Sequence, residues 1–110
     1  MQMTQVQESL NRIEQCTDQA ASAMHNATSQ PPEELCRCID DMHAQAREVR
    51  NMAQQSADQK QLTSRIDRLE ATGDQAKRAC QQAGSSVDPQ LQSAVMQAHD
   101  EISSLKKQLH

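Results

Sequence analysis

Four stretches of the chain carry apolar or small residues at alternating steps of four and three, and no other feature constrains the fold as strongly. The first runs Val6, Leu10, Ile13, Thr17, Ala20, Met24, Ala27, and the second Leu35, Ile39, Met42, Ala46, Val49, Ala53, Ser56. The third runs Leu62, Ile66, Leu69, Gly73, Ala76, Cys80, Ala83, and the fourth Leu91, Val95, Ala98, Ile102, Leu105, Leu109. Such spacing lines up one face of an α-helix as a seam against a partner. Strand formation is disfavoured, because Phe, Tyr and Trp are absent and the 35% apolar fraction comes from Ala, Leu, Ile, Val, Met and Cys alone.

The four seams close on one another in antiparallel order. Ala27 meets Leu35, Met24 meets Ile39, Ala20 meets Met42, Thr17 meets Ala46, Ile13 meets Val49 and Leu10 meets Ala53. Carrying the same folding-back through the third and fourth seams gives common layers. These are Ala27/Leu35/Ala83/Leu91, Met24/Ile39/Cys80/Val95, Ala20/Met42/Ala76/Ala98, Thr17/Ala46/Gly73/Ile102, Ile13/Val49/Leu69/Leu105 and Leu10/Ala53/Ile66/Leu109, with Val6, Ser56 and Leu62 at one end. Large residues alternate with small ones, as interdigitation requires. Gly73 falls at the narrow waist, where close approach of helices would use it.

The second half also echoes the first. LNRIEQCTDQA aligns with IDRLEATGDQA so that Arg12/Arg68, Glu14/Glu70, Asp18/Asp74, Gln19/Gln75 and Ala20/Ala76 coincide, and at the same offset Leu35 meets Leu91 and His43 meets His99. The expected architecture is therefore all-α, an up-down-up-down antiparallel four-helix bundle built from two similar αα-hairpins. It is a single domain over 1–110, with hairpin 1 at 4–57 and hairpin 2 at 59–109. Two boundaries have clear chemistry: Ser29-Gln-Pro-Pro-Glu-Glu before the second helix, and Gly84-Ser-Ser-Val-Asp-Pro, with a C-terminal Gly, an Asp N-cap and a Pro at the first helical position. The boundary near Asp58 offers only a capping box with Gln61. A long continuous helix over 33–83, in a three-helix, dimeric arrangement, is the alternative.

Composition narrows the function classes. A net charge of −4 and the lack of any stacking aromatic argue against a nucleic-acid surface. No basic membrane-binding face or long apolar run occurs, and MQMTQVQESL has no leader pattern, so a cytoplasmic chain with reduced thiols is expected.

The stretch PPEELCRCIDDMH gathers two prolines, two cysteines, acids and a histidine. Cys36 and Cys38 diverge by about 200° on a helix, so they do not chelate one ion locally. His43 lies about 10 Å of rise from Cys36, and Asp40 between them permits only a weak hard-ion site. The prolines and glutamates read first as a helix start, with Cys36 and Cys38 flanking the seam outside any core layer. A thiol in a first turn can have its pKa lowered by the helix dipole, which gives Cys36 one argument of its own; Glu33 and Glu34 oppose it. Cys38 falls level with Cys80, and Met24 shares that layer, so Cys38, Cys80 and Met24 are the candidate soft-metal or redox group, suited to Cu(I) or a thiol pair. The competing reading is that the thiols are small apolar side chains in the core or at its edge. His43 and His99 flank their seams at one level, as solvated or edge-packed residues; His25 and His110 point outward.

In size and soft ligands the chain resembles the small cysteine-rich four-helix copper-storage bundles. Those carry many more cysteines at Cys-x-x-x-Cys spacing, whereas no two of Cys16, Cys36, Cys38 and Cys80 are four apart. No nucleophile with a base partner, phosphate loop or Glu-x-x-His pair occurs, so neither an enzyme nor a cofactor is expected. The expected role is association, with a second copy as a dimer or with a helical protein partner, and the metal- or redox-responsive reading is the alternative.

Overall fold

Local chemistry sets two of the three helix junctions, and packing decides the third. The structure, a computed structural model, describes residues 3–27, 31–55, 58–84 and 87–109. Four helices follow in order: α1 (Met3–Asn26), α2 (Glu33–Gln54), α3 (Gln59–Ala83) and α4 (Pro89–Leu109). Ser29 and Gln30, the seam residue Ser56 with Ala57, Ser85 and Ser86, and His110 lie outside the described residues.

α2 begins behind Pro32, with Glu33 and Glu34 in the positive first turn. α3 ends at Gly84, whose φ of 58° and ψ of −129° suit a residue without Cβ. α4 opens as its sequence implies: the Asp88 carboxylate accepts the Gln90 N–H at 2.9 Å, and Pro89 takes the first helical position. The middle boundary behaves differently from its expected capping box. Asp58 occupies the N-cap position of α3, but its side chain makes no cap hydrogen bond.

The continuous 33–83 helix is not formed. α2 ends at Gln54, Asp58 stands at φ −58° and ψ 138° before α3, and α3 returns alongside α2. That reversal lets the seam of α3 be buried within the same chain, a gain that a weak local stop signal does not oppose. α1 packs beside α2 and α4, and α3 beside the same two, leaving α1/α3 and α2/α4 diagonal. The bundle measures 41 × 21 × 18 Å.

Among described residues every seam position is buried, except Ala27, Ala83 and Leu109 at helix ends, which are half-buried. Thr17 is fully buried in its seam and satisfies its hydroxyl locally, donating to the Glu14 carbonyl at 2.9 Å.

α3 runs unbroken through Thr72-Gly73-Asp74. A Cβ on Gly73 would lie 3.6 Å from Ile102 Cδ1, 3.7 Å from His99 Cδ2 and 3.9 Å from Met42 Sδ, all ordinary van der Waals distances. Close approach therefore does not demand glycine at the waist, contrary to the reading from its spacing. Gly73→Ala is expected to stabilise the bundle by about 1 kcal/mol through helix propensity. Urea unfolding followed by far-ultraviolet circular dichroism measures it, and a loss of stability would show that the waist is tighter than these distances.

Candidate functional site

Each helix has residues on both sides of its seam, and the direction in which the bundle turns decides what they meet. Cys38 points toward α3, bordering a surface groove with Gln75, Arg78 and Ala79. Gln45, on the same side of α2, accepts the Thr72 hydroxyl at 2.9 Å. On the opposite side of the bundle Arg12 of α1 reaches Glu101 of α4 at 3.3 Å, and Cys16 feels the Glu101 charge. The other flanks of α1 and α2 face each other, as do those of α3 and α4.

The candidate sulfurs are packed. Cys38 is 7% exposed, Cys80 3% and Met24 7%. Cys38 thus flanks its seam, as the spacing requires, and is buried against α3 at the edge of the core. Burial, with a smaller push from the neighbouring Cys38, raises the Cys80 thiol to about 11. Burial, then Glu34 and Asp41, raise Cys38; burial, then Glu101, raise Cys16 against the opposing effect of Arg12.

Cys36 is half-buried and its thiol donates to the Pro31 carbonyl at 3.8 Å. Its pKa is raised by burial, Asp40 and Glu33, so the first-turn dipole does not prevail there. Among the described residues no three His, Cys, Asp or Glu side chains gather as a metal-binding group, the Cys36/Asp40/His43 set included.

Because the folded thiols hold their protons more tightly than the unfolded value of 9.0, raising the pH takes protons from the unfolded chain first. For Cys80 the stabilising contribution is complete below 9.0 and is expected to be lost as pH rises through about 11. Denaturant titrations across that window measure the fall. Cys80→Ala should flatten it, and an unchanged slope in that variant would place the effect elsewhere.

The polar flanks hold hairpins together in a repeated way. In the first, Asp18 pairs with His43 at 3.5 Å, and Glu14 pairs with Arg50 and, at 3.9 Å, Arg47. At the matching positions of the second, Asp74 pairs with His99 at 2.5 Å and Glu70 with Lys106 at 2.9 Å. The Glu70 hydrogen bond holds the Lys106 ammonium above its ordinary value. The sequence repeat is thus repeated in contacts. Further charges pair between helices, including Arg65 with Glu48 at 3.0 Å.

The repeat aligns Asp18 with Asp74 and His43 with His99, and the fold makes each aspartate the partner of the histidine in its own hairpin. The signal was present, since two opposite-natured residues recur together at one offset. Val87, 2% exposed in the connection before α4, was also missed, because it belongs to no helical seam. Compared with protein-family models, curated proteins and solved structures, the chain matches none of them.

Proposed function

We propose that this chain is a non-enzymatic association module, whose partner is a second copy of itself or a helix of another protein. The observation that carries the reading is how the chemistry-bearing side chains are used. His43 and His99 are tied to aspartates, Glu14 and Glu70 to cations on the neighbouring helix, and all four thiols are held protonated by burial. These groups maintain the bundle, and the outer faces are left to act.

Those faces are polar and unevenly charged. α2 exposes Glu33, Glu34, Asp40, Asp41 and Glu48 against Arg37 and Arg47, and α3 exposes Lys60, Arg68 and Arg78. Association through them would depend on charge complementarity and weaken with added salt. Sedimentation over a wide concentration range at low and high salt tests this. A strict monomer throughout, with no partner recovered when the bundle is used as bait, overturns the reading.

A second reading has one observation of its own: Cys38 and Cys80 sit close enough that one raises the other's pKa, with Met24 at their level. A Cu(I) ion held by these sulfurs would have to displace the thiol protons that burial retains. Native mass spectrometry under reducing conditions with Cu(I) tests it. One ion per chain, lost in Cys38→Ser, supports it; no bound ion removes it.

A further inference from the structure

We infer that the α2–α3 side of the bundle is a self-complementary surface on which a second copy of this chain docks, α2 of each copy lying against α3 of the other. The inference rests on the association reading and names both the surface and the partner.

Heptad spacing puts one acid every two turns along the flank of α2 that faces α3. Glu34, Asp41 and Glu48 stand seven residues apart, and all are exposed. Glu34 and Asp41 border the groove between the two helices, and Glu48 reaches across it to Arg65. α3 answers with the opposite sign. Gln75, Arg78 and Gln82 border the same groove, and Arg68 stands one heptad before Gln75 on that flank. The charged residues that α3 exposes, Lys60, Arg68 and Arg78, are all basic. Its acids Asp67, Glu70 and Asp74 turn instead to Lys106 and His99 of α4. Arg37 also lines the groove, but Glu33 holds it one turn back at 3.1 Å. Glu34, Asp41, Arg68 and Arg78 make no ion pair among the described residues.

Register matches these charges between copies. Asp41 and Arg78 both fall between the Ile39/Cys80 and Met42/Ala76 layers, and Glu48 and Arg68 both adjoin the Val49/Leu69 layer. A two-fold axis parallel to the helices keeps every level and exchanges α2 for α3. Asp41 then meets the partner's Arg78, Glu48 meets the partner's Arg68, and each contact occurs twice. The other two-fold that sets this side face to face runs across the helices. It lays acid stripe on acid stripe and basic stripe on basic stripe, which like charges oppose. A side of 41 × 21 Å has room for the roughly 800 Å² per partner of a standard interface. The groove between α1 and α4 lacks this complementarity, because Asp18 and Asp88 line it without a cation. Gln45, Thr72, Gln75 and Ala79 stand between the charges and offer little apolar area, so salt should weaken the dimer.

The experiment is sedimentation equilibrium on wild type, Asp41→Arg, Arg78→Asp and an equimolar mixture of the two variants, with circular dichroism as the fold control. Either variant alone sets like charges at both copies of the contact, and its association constant should fall about tenfold. In the mixture the new arginine of one variant meets the new aspartate of the other, while the native Asp41 and Arg78 supply the second contact. Association should therefore return to near the wild-type level. Asp41→Asn and Arg78→Gln, milder changes at the same contact, should weaken the dimer several-fold, and they carry the test if a reversal unfolds the bundle. A wild-type dimer that neither variant weakens, or a mixture that associates no better than its components, overturns this surface and leaves association through another face standing. A wild type that stays monomeric at every concentration overturns the dimer, and the association reading then stands only on a helical protein partner.

Discussion

Leu69→Ala is expected to lower the unfolding free energy by about 2–5 kcal/mol, the range for large-to-small changes in a closed core. Leu69 is fully buried, and its layer contains Ile13, Val49 and Leu105, each at most 1% exposed. These three sit on three other helices, so collapse around the lost isobutyl group would need several helices to shift together. The cavity should therefore remain largely open. Leu109→Ala, at a half-buried end position, serves as the control and should cost clearly less. With no aromatic residue in the chain, far-ultraviolet circular dichroism in urea is the suitable readout. A loss below about 1 kcal/mol for Leu69→Ala, the scale of one buried methylene, would remove it from the core.

Ala98→Leu is expected to destabilise by about 1–3 kcal/mol through overpacking, and it probes the opposite limit. Ala98 shares its layer with Ala20, Ala76 and Met42, all fully buried. Three alanines bring the backbones together there, and the single long side chain, Met42, fills what they leave. A branched side chain added at Ala98 has to displace Met42 or separate the helices. Adding Met42→Ala to Ala98→Leu should recover part of the loss, because the two positions share one volume. If Ala98→Leu proved neutral, the waist would contain unfilled space. The comparison with Gly73→Ala is informative, since that change adds one carbon at contact distance in the adjoining layer.

The layers on which both expectations rest were legible because burial repeats along a helix. Positions such as Leu10, Ile39, Leu69 and Ile102 recur at the seam spacing, and each is fully buried. Gly84 and Asp88-Pro89 were legible for a different reason, their backbone chemistry being local. The end of α2 was less so. No residue there forbids helix, and the break follows from α3 folding back on its own chain rather than from any local stop signal.

The candidate site shows the same division. That Cys38 and Cys80 fall at one level follows from register alone, as does the level shared by His43 and His99. Their partners do not follow. A seam faces the bundle axis whether the four helices are arranged clockwise or anticlockwise, so periodicity is the same for both hands. The flanks exchange neighbours between them. The sequence by itself determined four helices, their antiparallel order, their layers and the repeat. Only the tertiary structure decided the hand, and with it that Cys38 is buried against α3, that Thr72 bonds Gln45 and that Arg12 pairs with Glu101. The physical reason is that a residue beside a seam is buried by whichever helix turns toward it, and that choice is made by the packing of all four helices at once.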